Sequence, residues 1–135
     1  MLVVKRLREL GVEALGVRTK TCSGEATELM DAWAGDDEVI IVDAVVTGAS
    51  VGKVHGWDDA ILFASSSASA STHGFGVGEA IKLAQALGRS PESLRIYGIE
   101  GRRFDRGSQV SRRVKQAVED VAQQIHAAIR TLHSR

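Results

Sequence analysis

With a single cysteine, Cys22, the chain cannot form an internal disulfide, so cross-linking contributes nothing to its stability. It also carries no net charge: 17 basic side chains balance 17 acidic ones, and no long block of one sign builds up. That pattern leaves no electrostatic footprint for a nucleic-acid groove or an anionic membrane surface. No apolar run is long enough for a secretory signal or a membrane span. These absences point to the cytoplasm, and to partners that are neither nucleic acid nor membrane. A length of 135 residues suits one domain with its own core, and residues 1–135 read as that single domain.

What is present is an alternation of helical and strand patterns. Leu2, Val3, Arg6, Leu7 and Leu10 recur at helical spacing, and Gly11 supplies a stop. VEALGVR (12–18) reads as a short strand. TCSGEATELMDAWAG (21–35) reads as a loop and a helix with Ala26, Leu29, Met30 and Trp33 on one face, capped by Ser23 and closed by Gly35. EVIIVDAVV (38–46) is apolar on both faces, as a central parallel strand should be, and VGKVHGW (51–57) is a weaker strand. SSSASASTHG (65–74) is small and polar, and reads as a flexible linker or a surface loop. GVGEAIKLAQALG (76–88) is a helix carrying Val77, Ile81, Ala84 and Leu87, followed by a strand, LRIYGIE (94–100), and a loop, GRRFDRG (101–107). Val110, Val114, Val118, Val121, Ile125, Ile129 and Leu132 form one stripe down a long terminal helix. Strands alternating with helices predict the α/β class: a three-layer α/β/α sandwich with a mostly parallel twisted sheet.

The stretch VIIVDAVV holds an acid, Asp43, inside a run that reads as buried. An unpaired carboxylate in a core costs several kcal/mol or loses its charge, so Asp43 is expected where the strand emerges, at the carboxyl edge where such sheets bind ligands. His73, in STHGFGVGEA, lies among glycines just before a helix. If its loop folds over that edge it meets Asp43, and an Asp/His pair suits a divalent metal or acid–base chemistry. The blander reading makes Asp43 a cap for the backbone N–H groups at Thr47 and Gly48, and His73 a surface residue. Asp36 and Asp37 read as a solvated turn, Cys22 as a small loop or core residue, and His55, His126 and His133 as structural or solvent-facing. The glycines of HGFGVG do not directly follow a strand and make a weak phosphate loop.

Taken in order and spacing, VIIVDAVVTGASVGKVH, STHGFGVGEAIKLAQALGRSP and LRIYGIEG, with the long helix after GSQVS, resemble the hydrogenase maturation proteases. The resemblance runs over nearly the whole chain. It implies an endopeptidase that removes a C-terminal peptide from the large-subunit precursor of a nickel–iron hydrogenase. It also implies that nickel already seated in the precursor is sensed by Asp43 and His73, which would act as metal contacts and catalytic residues. Family members begin with a glycine-rich strand and a GDDG-like acidic loop that supplies a third metal contact. The present chain starts after that point, so it is expected to be N-terminally truncated. Asp36 and Asp37 precede a strand where the family's acids follow one, and no aspartate stands near Thr21 or Cys22. The alternatives are a non-catalytic module of the same fold that binds nickel or the precursor, and a small-molecule hydrolase of similar architecture.

Overall fold

The computed structural model describes residues 2–22, 26–33, 38–58, 63, 76–101 and 108–133, with backbone alone for 108–111 and His133. Among the described residues there are four α-helices: α1 (Leu2–Glu9), α2 (Ala26–Ala32), α3 (Gly76–Ala86) and α4 (Ser108–His133). Among the same described residues three strands join them: β1 (Glu38–Val45), β2 (Val54–Trp57) and β3 (Ser93–Glu100). The sheet order is β1-β3-β2.

The centre of the sheet is β3, which pairs with both other strands and is buried over its last five residues. Residues alternate between the faces of a strand, so β3 feeds two cores. Leu94 and Ile96 join Ile41, Met30, Trp33, Phe63, Val77, Ile81 and Ala84 on the side of α2 and α3. Tyr97 and Ile99 join Val3, Leu7, Val12, Val121, Ile125 and Ile129 on the side of α1 and α4. The result is helices, sheet, helices, as the pattern predicts. The sheet itself is mixed. β1 runs parallel to β3 from Glu38↔Ser93 to Val45↔Glu100, whereas β2 is antiparallel, from Val54↔Ile99 to Trp57↔Ile96.

Three local expectations are corrected. VEALGVR is no strand: Val12–Leu15 is a turn of 3-10 helix between Gly11 and Gly16, both left-handed at φ 83 and 87. Glycine bears that conformation without steric cost, and the turn buries Val12 under α4's face. Leu87 is 55% exposed rather than part of the α3 core face, because α3 ends at Ala86 and Gly88 turns the chain away at φ 66. Leu132 is 41% exposed, since α4 extends beyond the core it covers. Ser23 and Gly35, the expected ends of α2, lie outside the described residues.

Helix α1 is tied to α4 by a forked bond from Arg6 to Glu119, Nε to Oε2 at 2.7 Å and Nη2 to Oε1 at 3.1 Å. The guanidinium, helped by Gln123, holds the Glu119 carboxyl down at about 2.

Gly98 sits mid-strand because nothing larger fits. A Cβ there would lie 2.9 Å from Val45 Cγ1 and 3.2 Å from the Trp57 ring. Gly98→Ala is therefore expected to cost about 1–3 kcal/mol through overpacking. In a double-mutant cycle by urea unfolding, Val45→Ala should offset part of that cost, giving a coupling well outside error. Strict additivity would show that the Gly98–Val45 contact does not set the packing here.

Candidate functional site

Because β1 and β3 run parallel, their carboxyl ends share one edge of the sheet, and antiparallel β2 begins at that same edge. Asp43 and His55 both pair with Gly98, forming one row across three strands. Directly opposed residues share a face, so both belong to the α2/α3 side. Glu100, two residues beyond Gly98, lies on that side as well, opposite Val45 in the next row.

Glu100 is the one buried charged side chain among the described residues, at 1% exposure. The Thr47 amide donates to its Oε2 at 2.7 Å and the Thr47 hydroxyl to its Oε1 at 2.6 Å. His55 Nε2 stands 3.0 Å from the same Oε1. Burial favours the neutral acid, but the Thr47 hydroxyl and amide and the His55 ring outweigh it and hold Glu100 below its ordinary value. The carboxylate thus stays anionic inside the protein, with acceptor sites filled by directed donors. His55 is stacked on Trp57 with centroids 5.6 Å apart and planes 17° apart, and Trp57 meets Phe63 edge-on at 4.9 Å. The ring that faces Glu100 is therefore packed from behind.

Asp43 is half-buried in β1, with its Oδ1 accepting the Ala44 N–H at 2.8 Å. The capping role that the bland reading assigned to it, at the amide of residue 47, is filled by Glu100 instead. His73 lies outside the described residues, as do Asp36 and Asp37, so the Asp43–His73 pairing is not placed by the geometry. Among the described residues no group of three His, Cys, Asp or Glu side chains could hold a metal ion. Burial, then Glu28, pushes the Cys22 thiol up, the reverse of what a nucleophile requires. No helix among the described residues is long and apolar enough to cross a membrane.

Sequence reasoning named the Thr47 amide as a capped group but missed Glu100 as its acceptor, the part played by the Thr47 hydroxyl, and the partner of His55. The available signal was the one that drew attention to Asp43. LRIYGIE is also an apolar strand ending on an acid, and a carboxylate there needs partners for the same reason.

A model of the hydrogenase maturation protease family matches residues 24–128. No curated protein matches the chain. Among solved structures, the hydrogenase maturating endopeptidase HybD from E. coli is similar, with a TM-score of 0.55 at 22% identity over 76% of this chain. At that identity the likeness speaks for the fold, and the match spans 66% of the HybD chain.

Since the folded protein depresses the Glu100 carboxyl, its ionised form stabilises the fold fully above the ordinary carboxylate range, and that contribution is lost as pH falls through the depressed value. Glu100→Gln should lower unfolding free energy by about 1–3 kcal/mol at pH 7. The gap from the parent protein should shrink steadily as urea melts are repeated at lower pH. A gap that stays constant down to strongly acid pH would contradict an ionised Glu100.

Proposed function

The chain belongs to the hydrogenase maturation protease family, and from that premise we propose that it is an endopeptidase acting on the large-subunit precursor of a nickel–iron hydrogenase. In this reading it removes a C-terminal peptide, in the cytoplasm, once nickel is in place. The observation that carries the reading is the position of Asp43 near the carboxyl end of β1, in the row it shares with Gly98 of the parallel neighbour and His55. Open α/β sheets bind ligands beyond that edge.

Nickel belongs to the substrate here, carried in by the precursor. A divalent ion of this kind accepts mixed nitrogen and oxygen donors, and Asp43 and His73 supply one of each. The bond from the Ala44 N–H to Oδ1 orients the Asp43 carboxylate. Two ligands held by the chain locate the precursor's metal site, and with it the scissile carbonyl, at the rim. Water then attacks that carbonyl near the ion, which acts as Lewis acid or as a positioning element.

The test is cleavage of purified precursor, nickel-loaded and nickel-free, followed by the shift of the large subunit on a gel. Only loaded precursor should be shortened. Asp43→Asn and His73→Ala should each slow cleavage on the order of 100-fold, the scale of losing one preorganised electrostatic contact. Full-rate cleavage by both variants would reject the assignment. Capture of precursor without any shortening would make the protein a binding module instead.

A further inference from the structure

Every backbone and side-chain polar group of Glu100 engages the segment that joins β1 to β2. Its N–H donates to the Lys53 carbonyl at 2.8 Å, and its carbonyl accepts the Gly52 N–H at 2.8 Å. Its carboxylate takes the amide and hydroxyl of Thr47 and, at the start of β2, faces the ring of His55. One residue on, the Gly101 N–H donates to the Val45 carbonyl at 3.0 Å. The connection 46–53 is therefore pinned at both ends by the last residue of β3.

Its far side is closed as well. Gly52 adopts φ 87, and a Cβ there would lie 3.0 Å from the Arg113 carbonyl oxygen of α4. The segment is wedged between the end of the sheet and a helix, beginning three residues after Asp43. The segment therefore lies at the carboxyl edge of the sheet, the edge beyond which open α/β sheets bind ligands.

Stability alone does not account for a carboxylate in this place. Replacing buried ion pairs with well-packed apolar side chains is often neutral or stabilising. What directed bonds to an anion supply beyond packing is a single geometry. Resting on the peptidase reading above, we propose that Glu100 is a positioning residue for precursor cleavage: by gripping Thr47 and His55 it fixes the 46–53 connection against the rim that carries Asp43. Glu100 does not touch the substrate in this account. It acts through the connection, and His55 completes its hydrogen bonding from β2.

The experiment is steady-state cleavage of nickel-loaded precursor by the full chain carrying Thr47→Val, Thr47→Ser or Glu100→Gln. Thr47→Val keeps the shape of the side chain and removes the donor at 2.6 Å. Displacements of about 1 Å near reacting groups can cost on the order of 100-fold in rate, so kcat for Thr47→Val and Glu100→Gln should fall about tenfold or more. KM should stay within about twofold, because ground-state binding is not what the clamp provides. Thr47→Ser, which retains the hydroxyl, should restore the rate. Circular dichroism at the assay temperature gives the folded fraction of each variant. Wild-type kcat in Thr47→Val and Glu100→Gln, or a loss that merely tracks the folded fraction, overturns the inference. If Asp43→Asn is inactive while Thr47→Val is fully active, only the positioning role falls. If Asp43→Asn cleaves normally, the peptidase site itself is misassigned and this inference falls with it.

Discussion

Withdrawing a carboxylate from water at the end of the central strand costs several kcal/mol unless its lone pairs are met by fixed donors. At Glu100 they are met by Thr47 from the β1–β2 connection and by His55 of β2, both held within 3.0 Å. This constraint joins elements that are far apart in the chain. It couples the end of β3 to the turn after β1 and the start of β2, so the whole carboxyl edge of the sheet closes as one piece. The Asp43 row sits one step inside that edge, and its surroundings follow from the same bonds.

The clamp works only because β3 is fixed on both faces. Leu94 and Ile96 anchor it to α2 and α3, Tyr97 and Ile99 to α1 and α4. Between them Gly98 lets Val45 and Trp57 close over the strand. Trp57 in turn supports the His55 ring, so the apolar packing of one face delivers a polar partner to Glu100. Core and rim are thus one construction: the packing that stabilises the sheet also aims the groups that keep a buried charge satisfied.

Much of the fold is legible in residue periodicity. The stripe on α4, the Met30 and Trp33 face of α2 and the apolar runs of β1 and β3 each announce their element. What periodicity lacks is direction and partner. VGKVHGW reads as a strand, but nothing in it says antiparallel, and the short apolar piece 12–18 reads as a strand although the left-handed Gly11 and Gly16 bound a 3-10 turn there. The site divides in the same way. Asp43 stands out because an acid interrupts a buried run, whereas Glu100 hides at the end of one. Its partners lie 53 and 45 positions away, a separation that only tertiary packing resolves. His73, the second residue that the sequence singles out, lies outside the described residues, so its meeting with Asp43 belongs to the proposed function.

The central claim is that Glu100 is an anion inside the protein, bonded to Thr47. Carbon-13 NMR of the Glu100 side-chain carboxyl, titrated alongside the Thr47 amide proton, measures it directly. The account predicts a midpoint below the ordinary glutamate value, with the Thr47 amide moving at the same midpoint. A Glu100 carboxyl that titrates at or above its ordinary value, or a Thr47 amide indifferent to it, would contradict the account.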